Sequence, residues 1–214
     1  MNTIIDFIYS TSLLFSLVMS FIYRKDLRSR NLGVLLPFLI YTFAQEMLLD
    51  LAVDFPSAIL YNIYRPISAI VFSFIYYRVP FLASLKKLIA GLTIAYLCVV
   101  VATYCFIDSI FVNSTYLTLA RGFMVTFCSI LFLFRYFSLD NLKEEKFWRP
   151  LVLITAGIAI FYPVVTLSLT FEDYLATQDA TLFGFKLYQV IPQLMSIFMY
   201  CCFSYAFYLC RKIK

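Results

Sequence analysis

Seven stretches of the chain, over residues 4–23, 31–53, 57–77, 88–107, 116–139, 151–170 and 182–210, are almost free of charged side chains. Each is at least about 20 residues long, enough for an α-helix rising 1.5 Å per residue to cross the roughly 30 Å hydrocarbon core of a bilayer. A backbone that leaves water must satisfy its own N–H and C=O groups, so these stretches are expected to be helices. Apolar residues make up 63% of the chain and charged residues 14%, against about half and a quarter in soluble domains. The expectation is an all-α membrane protein, a single seven-transmembrane-helix bundle over residues 1–214. No basic segment precedes the first stretch and one follows it, which makes it a retained span rather than a cleaved signal.

Loop charge sets the orientation, because basic loops stay on the cytoplasmic side. All but three of the 17 basic residues fall in four places: Arg24, Lys25, Arg28 and Arg30; Arg78, Lys86 and Lys87; Arg135, Lys143, Lys146 and Arg149; and Arg211, Lys212 and Lys214. The acids among them are Asp26, Asp140, Glu144 and Glu145, whereas the alternate connections carry only Asp54, Asp108, Glu172, Asp173 and Asp179. The N-terminus is therefore expected outside and the C-terminus in the cytoplasm. Topology alone accounts for a basic inner face; acidic partners or anionic lipid head groups are its other use.

Several classes of chemistry are disfavoured. The chain has no histidine, and Cys98, Cys105, Cys128, Cys201, Cys202 and Cys210 all lie within apolar stretches, where cysteine behaves as a small hydrophobe. No zinc or haem ligand set results, so neither metal nor cofactor is expected. The connections are short, leaving no room for an external ligand-binding domain or an attached kinase or cyclase. Whatever is sensed or moved is handled by the bundle, output passes to a cytoplasmic or membrane signalling partner, and no nucleic-acid partner is expected. Asn113-Ser114-Thr115 has the form of a glycosylation acceptor. Stretches one to three and five to seven share an orientation, which permits a parallel three-plus-one-plus-three repeat.

Polar residues inside the apolar stretches are expensive and mark where such a protein acts. Thr42, Glu46 and Asp50 are spaced by four and share a helix face, with Gln45 beside them. The third stretch offers Tyr61, Asn62, Arg65 and Ser68, the fifth Thr118 and Arg121, and the first Asp6 and Ser10. Glu46, Arg65 and Arg121 each lie about 12 Å from the outer end at the helical rise, so they can meet in the outer half of one bundle. In the seventh stretch Lys186, Gln189, Gln193, Ser196, Tyr200 and Ser204 form a stripe at spacings of three and four, which should face protein or water. Asp6, Glu46 and Asp50 balance Arg65, Arg121 and Lys186. Either these groups pair to lock helix packing, or Arg65 and Arg121 hold the anionic part of a ligand while Glu46 or Asp50 holds a cationic or proton-bearing part. Pro66, Pro163 and Pro192 interrupt their helices and loosen carbonyls that could line the same cavity.

At Phe147-Trp148, Tyr162-Pro163, Tyr188 to Gln193 and Ser204-Tyr205-Ala206-Phe207-Tyr208 the chain resembles a group of uncharacterised bacterial seven-helix inner-membrane proteins. The resemblance implies a bacterial inner (plasma) membrane and, loosely, a sensor beside two-component signalling proteins. In size and orientation the chain is also similar to the small sugar and amino-acid carriers with PQ loops, and Pro192-Gln193 supplies that dipeptide. Those carriers place it in the first helix of a triplet, and here it is in the seventh stretch. Lys186 is too near a helix end for a retinal Schiff base.

The leading expectation is a receptor-like or sensory bundle that binds a small charged ligand through Glu46, Asp50, Tyr61, Asn62, Arg65, Arg121, Lys186, Gln189 and Gln193. A small-solute transporter comes second, and a membrane-embedded lipid hydrolase using Glu46 and Asp50 third.

Overall fold

A computed structural model describes residues 3–51, 56–138, 145–178, 181–182 and 185–212. The expected loop residues Asp54, Asp140, Lys143, Glu144, Asp179 and Lys214 lie outside the described residues, as do the expected span ends at 53 and 139. The long helices are α1 (Thr3–Ile22), α3 (Leu35–Leu51), α4 (Ser57–Tyr77), α5 (Lys86–Phe106), α6 (Thr115–Phe137), α7 (Glu145–Thr170) and α9 (Leu187–Lys212). A short basic helix α2 (Arg24–Ser29) follows α1, a 3-10 helix (Pro80–Leu85) leads into α5, and α8 (Glu172–Thr177) follows α7. Among the described residues six helical segments are long and apolar enough to cross a membrane, and they lie in α1, α4, the 3-10 helix with α5, α6, α7 and α9. These spans mark an integral membrane protein. Helix α3 adds 17 described residues of the same apolar character.

The last apolar stretch is not helical from residue 182 as expected. Strands β1 (Thr181–Leu182) and β2 (Phe185–Lys186) pair antiparallel, Thr181 with Lys186 and Leu182 with Phe185, and α9 begins only at Leu187. Hydropathy does not distinguish the two forms, because a short apolar ladder and a helix turn are equally oily. At the other junction α7 begins at Glu145 rather than 151, since the polar turn before Pro150 is helical too and buries Trp148.

Helix neighbours form a closed ring, α1–α9–α7–α6–α4–α3 and back to α1, while α5 packs outside it against α4 and α6. Exchanging α1 with α6, α3 with α7 and α4 with α9 maps this set of neighbours onto itself, the pattern that a parallel three-plus-one-plus-three repeat would have. The half of the ring nearer the basic loops is filled with aromatic side chains: Phe72, Tyr76, Phe132, Phe203 and Phe207 are essentially inaccessible. Tyr76 and Ser129 share a hydroxyl hydrogen bond at 2.9 Å that ties α4 to α6. Phe7, Phe106, Phe123, Phe134 and Phe137 point outward, as a lipid-facing surface should.

Helices α6 and α7 approach closely because residue 122 has no side chain. A Cβ at Gly122 would lie 1.9 Å from Thr166 Oγ1 and 2.8 Å from its Cβ, distances that force the helices apart. Gly122→Ala is expected to cost about 1–3 kcal/mol, seen as a lower thermal unfolding midpoint in detergent. Adding Thr166→Ala, which removes Oγ1 and Cγ2, should recover part of the loss.

Candidate functional site

The ring leaves a cavity of about 370 Å³ at the end opposite the basic loops, within the size range of small-ligand sites. All six ring helices line it: Tyr9 from α1, Glu46 from α3, Arg65 from α4, Arg121 from α6, Phe161 from α7 and Gln193 from α9. Peripheral α5 supplies no lining residue.

One side of the cavity is built from two arginines. Arg65 is 4% exposed and Arg121 7%. Position 65 faces inward together with Asn62 and Ser68, one turn to either side, all three being buried on one face of α4. Arg65 donates to the side-chain carbonyl oxygens of Asn62 and Asn113. Asn62 in turn donates through Nδ2 to the backbone carbonyls of Ile110 at 2.7 Å and Val112 at 2.8 Å. A single face of α4 thus clamps the α5–α6 connection over the cavity, and Asn113, which the sequence offers as a sugar acceptor, holds a guanidinium with its amide oxygen.

Arg121 is held more loosely. Its Nη1 donates to Ser68 Oγ at 3.5 Å, and its guanidinium lies 5.6 Å from the Tyr64 ring centre and 5.3 Å from that of Tyr162. Ring faces attract cations but take no hydrogen bond in the plane of the guanidinium, and the buried Nε of Arg121 has no partner. Among the described residues neither arginine forms an ion pair with a carboxylate; amide and hydroxyl oxygens are their acceptors. The expected reading in which six charges lock packing by pairing is therefore not how Arg65 and Arg121 are held.

The opposite side is acidic and phenolic. Glu46 is half-buried and lines the cavity beside Tyr9 and Tyr200. Tyr61 and Tyr64 stand between the two sides, within electrostatic range of Glu46 and of an arginine each. Gln193 Nε2 donates to Asp6 Oδ1 at 2.6 Å, closing the ring between α9 and α1. Asp6 is thus tied to an amide rather than to a base.

Glu46, Tyr61, Arg65, Arg121 and Gln193 come together as expected, and Asn62 lies behind them as the clamp. Three other expected residues do not join. Asp50 is exposed, since four residues along α3 carry it about 6 Å further toward the helix end and 40° around it. Asp50 therefore does not line the cavity with Glu46, its partner in the hydrolase reading. Gln189 is exposed on the first turn of α9; the polar stripe drifts around the helix because 3.6 residues per turn do not match its spacing, and it faces the ring only from Gln193 inward. Lys186 is exposed in β2, with its ammonium 5.9 Å from the Tyr188 ring centre.

Tyr9, Asn113, Phe161 and Glu172 also line the cavity and are not among the site residues that the sequence points to. Tyr9 follows Asp6 by three and could have been found from that spacing. The loop and α8 positions carry no periodic signal.

No protein-family model matches the chain, and no curated protein or solved structure does so either. The site is therefore read from its own chemistry.

Removing the clamp tests this geometry. Asn62→Leu loses the acceptor it offers Arg65 and both hydrogen bonds to the connection, the latter of about 1 kcal/mol each, so amide exchange over residues 107–114 is expected to quicken roughly 10- to 30-fold. An unchanged rate would mean that the connection is held by something else.

Proposed function

We propose that the chain is a receptor-like membrane protein of seven spans, with its N-terminus and cavity outside and its C-terminus in the cytoplasm. The cavity binds a small ligand whose anionic group docks between Arg65 and Arg121, with Glu46 and its phenolic neighbours receiving a cationic or proton-donating part. The observation that carries this reading is a cavity lined by two buried arginines, neither of which forms an ion pair with a carboxylate among the described residues. Burying a cation costs several kcal/mol unless it is paired, and an anion in the cavity pairs with the two guanidinium groups that line it.

The clamp suggests an output. An anion that competes for Arg65 draws the guanidinium away from Asn113 and loosens the connection over residues 107–114. Helix α5 packs outside the ring, mainly against α4, α6 and the 3-10 helix, so it is the span freest to respond, and its start carries Lys86 and Lys87 toward a cytoplasmic partner.

A small-solute carrier remains the second reading, favoured by the two-fold pattern of helix neighbours. Against it, the buried core of the other half of the ring is aromatic, with hydroxyl groups such as those of Ser73, Ser129 and Ser204 but no buried charge between the cavity and the basic end among the described residues.

The binding reading is tested by thermal shift of the purified protein against carboxylates, phosphates and sulfates, with and without an amino group. A hit is expected to weaken about 10- to 150-fold in Arg121→Gln, one charged hydrogen-bonding group having been lost, and to weaken in Glu46→Gln only when the ligand carries an amine. Binding unaffected by either substitution would defeat the proposal. Accumulation of the hit in proteoliposomes that Arg121→Gln abolishes would replace receptor by carrier.

Orientation is tested separately with an impermeant thiol reagent on intact cells. Ser109→Cys should label from outside, and Lys87→Cys only after permeabilisation.

A further inference from the structure

We propose a second binding site, for an anionic phospholipid, in the cleft between α2 and α3 at the basic end of the bundle. The cleft has a volume of about 370 Å³ and is lined by Arg24, Lys25, Leu27, Arg28, Gly33 and Leu36. Positive-inside topology asks only that basic residues lie on one side of the membrane; it does not ask that they fold into a concave wall.

Here they do. Six residues wind into α2, and its end is locked by a capping turn in which Leu32 N donates to Leu27 O at 2.9 Å and Asn31 N to Arg28 O at 3.3 Å. Asn31 takes the left-handed conformation, φ 60°, that this turn requires. The chain therefore reverses tightly and brings Gly33 and Leu36 back against Arg28. Leu27 is fully buried and anchors α2 to the bundle, while Arg24, Lys25 and Arg28 are exposed at the rim. Arg30 does not join them: it donates to the Phe147 carbonyl at 2.5 Å and lies over the Phe147 ring, fixing α2 to α7. Asp26 is the acid on α2, and three cations at the rim outweigh it.

The surroundings select a lipid over other anions. Phe21 and Ile22 at the end of α1 and Ile40, one turn after Leu36 on α3, are exposed apolar groups flanking the cleft. A group seated there has its head among guanidinium and ammonium donors and hydrocarbon alongside. That combination fits a phosphate diester carrying acyl chains, and basic pockets at helix ends on this side of membrane proteins take such head groups. The site is independent of the ligand cavity at the opposite end of the ring.

Native mass spectrometry of the intact chain, titrated with dioleoyl phosphatidylglycerol and with dioleoyl phosphatidylcholine, tests the assignment. The wild-type protein is expected to retain one phosphatidylglycerol in preference to phosphatidylcholine. Arg24→Gln with Arg28→Gln should weaken that retention by about tenfold or more, whereas Lys86→Gln with Lys87→Gln, which removes the same charge at the same end outside the cleft, should leave it unchanged. Gly33→Leu, which fills the cleft without altering charge, should lose the lipid as the arginine pair does. Equal losses in the two charge-removing pairs would overturn the site in favour of a diffuse basic surface. Displacement of the lipid by millimolar inorganic phosphate or by an acidic peptide would overturn the choice of lipid.

Discussion

Two guanidinium groups held away from water, with no ion pair to a carboxylate among the described residues, are the constraint around which the bundle is arranged. A buried arginine is tolerated only when its donors are met, and the neighbours of Arg65 and Arg121 follow from that need. Asn62 and Asn113 turn their carbonyl oxygens to Arg65, while Ser68, Tyr64 and Tyr162 surround Arg121 with weaker acceptors. Arg121 is left incompletely satisfied, its Nε being buried without a partner, and its side chain lines the cavity beside that of Arg65.

The closed ring of six helices gives this arrangement its shape. Each ring helix contributes a side chain to the cavity, and the Asp6–Gln193 hydrogen bond joins the first and last of them. Aromatic packing fills most of the other half, where Phe72, Phe132, Phe203 and Phe207 are buried and the Tyr76–Ser129 hydrogen bond ties α4 to α6. One half of the ring is thus packed hydrocarbon and the other a polar chamber, roofed by a connection hydrogen-bonded to the same helix that presents Arg65. Arg65 both lines the chamber and hydrogen-bonds Asn62 and Asn113 beneath the roof, and the proposed receptor reading rests on that double role.

Legibility differed by residue for physical reasons. Glu46, Arg65 and Arg121 could be found because a charge within an apolar helix is costly, and their common depth followed from counting residues at a fixed rise. Asp50 and Gln189 shared that logic and still turned outward, since spacings of three and four only approximate a helical turn and a helix near its end need not face its neighbours. Lys186 was misread because apolarity does not tell a two-residue ladder from the start of a helix. Asn113 and Glu172 sit in connections, where no periodicity exists to place a side chain.

From the sequence alone came the helical membrane-spanning character, the segregation of basic loops to one end and the short set of buried charges, because each follows from the energy of moving a single residue or segment out of water. The tertiary structure alone decided that α5 lies outside the ring, that the arginines are answered by amide and hydroxyl oxygens rather than by acids among the described residues, and that α2 folds into a cleft. Those outcomes depend on which helix faces meet and how connections return to the bundle, and such choices arise from many weak contacts between residues far apart in the chain.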